Sequence, residues 1–469
     1  MSVDSSHANE HAQAQRLLEE TIVHFNGKPI GTLAANDNSV AALNYDQVFV
    51  RDFMVSAIYF LLQGRCDIVR EFLLATAEMQ SNERQFDCFK PGQGLIPASF
   101  KVVQENATAR LLADFGEHAI ARVAPVDSGF WWLLILRAYR NISGDQTLVD
   151  SQAIQVAIRK ILELCLTTRF DMFPTMLVPD GAYTIDRRMG VYGYPVDIES
   201  LFFAALRAAE ALLTDTDSNR PFREAAHTRS EHLAFHIRQY YWLDLDQLNR
   251  IYRYGVEEYG AAAANKFNIY PETIPLWLMD WLPEEGGYFA GNVGPGRMDY
   301  RFFAQGNLLA IISGLATANQ ASALMALLRT RYQDLIGAMP MKLSYPALEG
   351  NDWALLTGMD PKNRPWSYHN GGHWPFMLWL LAAACGCSGE PELLDRALAS
   401  AGWRLARDDW PEYYDGRAGR LVGRQARLRQ TWTLAGYLAA AHLQAHPEHI
   451  RQLGFGDQAT ATACTVGTG

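Results

Sequence analysis

Segment after segment of this chain repeats apolar residues at three- and four-residue spacing, and nothing else limits its fold so sharply. Such runs cover residues 12–25, 47–63, 68–79, 129–141, 151–167, 196–213, 221–241, 301–317, 320–335, 372–386, 391–407 and 431–442. They predict about a dozen helices, while period-two strand runs are scarce. The helices are of two kinds. Those beginning near Gly129, Val196, Arg301 and Gly372 are apolar nearly all round, whereas those over 151–167 and 221–241 carry one polar face. A buried inner ring inside an exposed outer ring produces that contrast. A ring also answers a problem of size, because 469 residues exceed one ordinary core unless the core repeats around a closed path. No Ser/Gly-rich linker divides the chain. The expectation is therefore one domain over residues 1–455, followed by a small, polar tail over 456–469, loose enough to be flexible.

With 49% apolar and 12% aromatic residues the chain has ample material for a core. A net charge of -10 and the lack of any long Lys/Arg run argue against a nucleic-acid partner and suit a neutral small substrate. The six cysteines are scattered without a CxxC pair, which suggests reduced thiols rather than a disulfide framework or a thiolate zinc site. Residues 1–15 are polar with no apolar centre, unlike a secretory signal, so the cytoplasm is the expected compartment. The longest apolar stretch, near residues 376–387, is too short for a bilayer that needs about 20 residues, and no membrane association is expected.

Long loops precede the apolar helices, over 170–195, 254–300, 339–370 and 408–424, and they are rich in Gly, Pro, Trp, Tyr and Asp. Aromatic faces and acids gathered on one face are what a carbohydrate site needs. Cleaving an acetal takes one carboxylic acid to protonate the leaving oxygen and a second carboxylate to attack or to activate water. Asp186 stands in Ile185-Asp186-Arg187-Arg188-Met189-Gly190, before Tyr192-Gly193-Tyr194-Pro195. It either pairs with Arg187 or Arg188 to fasten the loop, or is partly desolvated by its apolar neighbours and raised in pKa as a proton donor requires. Glu412 stands in Trp410-Pro411-Glu412-Tyr413-Tyr414-Asp415, where a base among aromatic residues and a turn-capping acid are both reasonable, and the sequence barely separates Glu412 from Asp415.

Three further segments offer sugar contacts. In the run from Asn44 through Tyr45 to Arg51, Asp52 and Phe53, an Arg beside an Asp can grip hydroxyls or simply form an ion pair. In Asp127-Ser128-Gly129-Phe130-Trp131 the acid or the serine reads first as a helix N-cap, with Trp131 as a stacking platform beside it. Trp366-Ser367-Tyr368-His369-Asn370-Gly371-Gly372-His373 holds two histidines four apart, but the glycines and the lack of a third ligand favour hydroxyl binding over a metal. Gly423-Arg424-Gln425-Ala426-Arg427 supplies polar donors at a helix entrance, unless these are merely solvated charge.

Taken in order, NYDQVFVRDF, RVAPVDSGFWW, FPTMLVPDGAYTIDRRMGVYGYP, WSYHNGGHWP and WPEYYDG resemble the alkaline/neutral invertases, glycoside hydrolase family 100, from about Asn44 to His442. The resemblance implies an all-α (α/α)6 toroid, no cofactor or metal, and hydrolysis of sucrose to glucose and fructose with inversion at the glucosyl carbon. It makes Asp186 the general acid and Glu412, rather than Asp415, the base. Arg51, Asp52 and Asp127 are then expected to hold the glucosyl ring. Tyr45, Trp131, Arg188, Tyr192, Trp366, His369, Gln425 and Arg427 are expected around the substrate. Inversion sets the two carboxyl groups roughly 6.5–9.5 Å apart. Arg429 stands where this family is expected to carry an aromatic residue. The resemblance also implies a homo-oligomer. The alternatives are another reaction on the same toroid (a trehalase, a glucoamylase-like hydrolase, a phosphorolytic enzyme or a sugar epimerase) or a carbohydrate-binding protein without catalysis.

Overall fold

A computed structural model describes residues 3–83, 92–105, 108–117, 124–166, 171–176, 178, 183–185, 187–253, 269–294 and 297–456. Among these, twelve principal helices alternate between two rings. They are α1 (Val3–Glu19), α2 (Val50–Leu62), α3 (Cys66–Glu78), α4 (Ser128–Ser143), α5 (Gln152–Cys165) and α6 (Val196–Leu212). The second half adds α7 (Arg220–Tyr240), α8 (Ala304–Ile312), α9 (Ala318–Thr330), α10 (Leu378–Ser388), α11 (Pro391–Arg407) and α12 (Thr431–Ala445). The even-numbered helices touch in the cyclic order α2, α4, α6, α8, α10, α12 and back to α2, which closes an inner ring. The odd-numbered helices lie outside it. This is an (α/α)6 toroid.

Residue pattern explains who stands inside. In α4 every residue from Phe130 to Leu136 is buried, as is α10 from Leu378 to Cys385, so these helices have no polar face to give to water. In α7 the buried positions Ala226, Arg229, Ser230, Leu233, Ala234 and Ile237 follow the three-and-four spacing of a one-sided helix. Pro391 opens α11 at a position where its missing N–H costs nothing, and Gly144 ends α4 in the left-handed region at φ 70°.

The expected helix over 12–25 stops at Glu19. Ile22–Phe25 instead pairs as a strand with Lys28–Thr32, with Phe25 opposite Lys28 across Asn26 and Gly27, both at positive φ. An Asn-Gly pair between apolar residues is a strong hairpin signal. The expected helix over 301–317 is cut at its start, because the strand Arg297–Phe303 runs straight into α8. The one over 372–386 begins only at Leu378, after a tight turn at Pro375–Met377. Strands are more frequent than the period-two pattern predicted. Val48–Phe49 pairs with Ser99–Glu105, which pairs with Thr108–Asp114, and a four-stranded sheet joins Ser344–Tyr345, Arg297–Phe303, Tyr288–Gly294 and Trp242–Leu243. All these pairings are antiparallel. Two of the strands feed the first residues of α2 and α8, and so fix the N-terminal rim of the inner ring.

The rim is tightly packed. A Cβ on Gly306, in the first turn of α8, would lie 2.6 Å from the backbone nitrogen of Asp197 at the start of α6, so only glycine permits this approach. The Gly306 N–H donates to Asp197 Oδ1 at 2.5 Å.

Candidate active site

Glu412 lies between α11 and α12, in a turn whose shape is imposed by its neighbours. Asp409 and Trp410 both take positive φ, 58° and 55°. Non-glycine residues in that region are strained, and a fully buried Trp410 with its backbone tied to Leu405 and Gln430 holds them there. The Glu412 N–H donates to the Arg427 carbonyl at 2.8 Å. Its carboxylate, only 3% exposed, accepts the Tyr45 hydroxyl on Oε1 at 2.7 Å and the Arg427 backbone N–H on Oε2 at 3.4 Å. The Arg427 guanidinium lies 4.8 Å from the centre of the Tyr45 ring. Burial pushes the Glu412 carboxyl above its ordinary range, opposed by the Lys362 charge, the Tyr45 hydrogen bond and the Arg427 backbone. Burial and the Glu412 charge hold the Tyr45 hydroxyl far above its usual pKa, so it stays a donor.

Arg51 and Asp52 open α2. Arg51 does not pair with its neighbour. It reaches Asp127 instead, Nε to Oδ2 at 2.6 Å and Nη2 to Oδ1 at 2.9 Å, a two-point pair that spans the starts of α2 and α4. Asp127 is the residue before α4, yet its side chain caps nothing; Trp131 Nε1 donates to Oδ2 at 3.3 Å, and the carboxylate is shared between indole and guanidinium. Ser128 donates to the Ile96 carbonyl. With Arg51 engaged elsewhere, Asp52 takes no hydrogen bond from a described residue. Burial lifts it to about 7, opposed by Arg51 and reinforced by Glu412 and Asp127. The Glu412 and Asp127 charges thus both bear on Asp52.

An aromatic wall completes this side. Tyr368 stacks on His369 with ring centres 4.0 Å apart and meets Trp374 and Tyr413 edge-on. The Lys362 ammonium sits 3.8 Å from the Tyr368 ring centre. Trp366, Tyr368, Gln425 and Arg429 all have positive φ, so the strained non-glycine positions gather around this rim.

The fold thus brings Glu412, Tyr45, Arg427, Arg51, Asp52, Asp127, Trp131 and His369 to one end of the ring. Asp186 lies outside the described residues, and with it the separation of the two carboxyl groups. Arg188 pairs with Asp360 at 3.3 Å. Trp366 gives its indole N–H to Glu349 at 2.7 Å and stands against Tyr345. Tyr192 is 57% exposed, with its carbonyl accepting from Asn292, and Gln425 is exposed. Arg429, the departure from the expected aromatic, pairs with Asp409 at 3.1 Å. Among the described residues no group of three or more His, Cys, Asp or Glu is placed to hold a metal, and His373 is fully buried with its pKa pulled far down by desolvation and the nearby Lys342.

Sequence reasoning missed Lys362, Tyr368 and the buried acids Asp197 and Glu199. Burial raises these acids to about 7 and about 8, and each keeps one oxygen without a hydrogen-bond partner among the described residues. The first-turn position of both acids on a fully apolar helix was a usable signal. Asp360-Pro361-Lys362-Asn363 gave none, since it reads as a solvated turn.

The closed (α/α)6 ring is a fold found in solved glycosidases. A mannosylglycerate hydrolase from Thermus thermophilus shares it at a TM-score of 0.55 and 12% identity, over 92% of this chain and 100% of that one. Residues 14–447 match the family described as alkaline and neutral invertase. "Cytosolic invertase 1" of Oryza sativa is 54% identical over 93% of this chain and 78% of its own length. "Neutral/alkaline invertase 1, mitochondrial" of the same species is 53% identical over 94% of this chain and 72% of its own. The chain belongs to the alkaline/neutral invertase family and is a glycoside hydrolase.

Proposed function

We propose that this enzyme hydrolyses sucrose to glucose and fructose with inversion at the glucosyl carbon, Glu412 activating the water and Asp186 protonating the leaving oxygen. The observation that carries the reading is the setting of Glu412. A surface acid would be solvated, whereas this one is buried, oriented by two donors and poised at the rim where Arg51, Asp52 and Asp127 also converge. In the proposed complex Asp52 accepts from glucosyl hydroxyls, and Arg51 is fixed by Asp127 so that its remaining face points at the ring. Trp131 acts through Asp127, and Arg427, Tyr45 and His369 complete the wall. Arg188, Tyr192, Trp366 and Gln425 are placed around the rest of the substrate. The reaction needs no cofactor, and chelators should leave the rate unchanged.

The test is the first-formed product. Purified enzyme on sucrose should release β-glucose, seen as the initial anomer by proton NMR before mutarotation, and should act far less on trehalose or maltose. Initial α-glucose would replace inversion by retention, and a preference for trehalose would replace the substrate. We further propose one catalytic domain over residues 1–455, a homo-oligomer, to be checked by sedimentation, and a cytoplasmic site, to be checked by fractionation. No described helix is long and apolar enough to cross a membrane.

A further inference from the structure

The Tyr45 hydroxyl favours the ionised form of Glu412 by donating to Oε1, whereas burial and the Asp52 carboxylate on α2 work against it. Two cations oppose them, Lys362 and Arg427. Arg427 spreads its guanidinium over the Tyr45 ring, while Lys362 carries a compact charge held in a tightly built turn. Asp360 Oδ1 accepts the backbone N–H groups of Lys362 and Asn363 at 2.9 and 2.8 Å, and the fully buried Asn363 accepts the His369 N–H on its side chain. The same Asp360 pairs through Oδ2 with Arg188, two residues from the proposed acid. Tyr368, forced to φ 51°, offers its ring as the seat of the ammonium.

We propose that Lys362, seated on the Tyr368 ring, is a positioning residue that keeps the Glu412 carboxylate ionised and therefore able to act as a base. The inference rests on the reading of Glu412 as the base. The Tyr368 ring that seats the ammonium meets the ring of Tyr413, next to Glu412 in the chain, edge-on with centres 5.4 Å apart, which sets the cation on the Glu412 side of the aromatic wall. Of the charges facing Glu412, the Lys362 charge opposes the effect of burial most strongly. Removing it should raise the pH at which the base forms.

The experiment measures kcat/KM for sucrose against pH in Lys362→Met, Lys362→Arg and Glu412→Gln, with Tm recorded for each. The acid limb of this profile reports the base in the free enzyme. In Lys362→Met the limb should move up by about one pH unit, the low end for loss of a neighbouring opposite charge, with the alkaline plateau nearly recovered. Lys362→Arg should keep the limb within a few tenths of a unit of its original place. If Lys362→Met proves too unstable to assay, Lys362→Gln reads the same shift. An unmoved limb with raised KM alone would make Lys362 a sugar contact and overturn the proposal. Near-normal turnover in Glu412→Gln would overturn the base assignment itself, a failure distinguishable from the first because there the glutamine variant stays inactive.

Discussion

The two ends of the inner ring bury different things. At the N-terminal rim, Asp127, Asp197, Glu199, Gln305 and Asn307 are all buried, and the loops that carry Tyr368 and Glu412 are repeatedly forced into the left-handed region. Toward the C-terminal ends the same helices bury Phe60 and Leu61 in α2, Leu136 and Ala138 in α4 and Ala383 to Cys385 in α10, and α4 and α10 stop at ordinary left-handed glycines, Gly144 and Gly389. Unsatisfied N–H groups and the positive end of the helix dipole make the N-terminal rim the less costly place for carboxylates. One end holds apolar core and the other the proposed site.

Substitutions at the two ends should separate these roles. Glu412→Gln, at the rim, is expected to lower kcat by about 10²–10⁴-fold with Tm nearly unchanged, since it removes a general base and keeps the shape; a large fall in Tm would mean the acid is structural. Leu61→Ala, at the far end of α2, should do the reverse, costing about 3 kcal/mol of stability in denaturant titration while kcat at low temperature holds.

Glu199→Gln is a finer probe. Burial raises the folded-state carboxyl from 4.5 to about 8, so its contribution is fully present below pH 4.5 and is lost as pH rises through about 8. The variant should match the parent near pH 4 and gain a few degrees of Tm over it by pH 9; parallel curves would show that the acid is already ionised in the fold. Tyr45→Phe should be the mildest, lowering kcat/KM near neutrality by less than about tenfold, because one of two donors to Glu412 remains. A loss as deep as that of Glu412→Gln would give the tyrosine a direct part in the chemistry.

This contrast also marks what the sequence made readable. The apolar helices announce themselves through periodicity, because a residue with no route to water must repeat around the whole helix. The rim is less legible. Arg51 stands beside Asp52 but pairs with Asp127, 76 positions away, a choice set by how α2 and α4 meet. Lys362 looks solvated until the positive φ at Tyr368 turns an aromatic face toward it. The hairpin at Asn26-Gly27 was readable and was overridden by the helical period of the residues before it. The family motifs pointed to Glu412, whereas the wall that orients it depends on Tyr45, 367 residues distant.

That distance carries a consequence for how the enzyme is born. A ribosome delivers Tyr45 and α2 some 367 residues ahead of Glu412, with α12 following, yet α12 is the wedge that joins α10 to α2. Until it emerges, the nascent ring is an open arc whose two seam helices show apolar flanks to solvent, and the hydroxyl waits without its carboxylate. Chaperone attention should therefore concentrate on the interval before α12 emerges, and a messenger cut short ahead of α12 should yield an arc without activity.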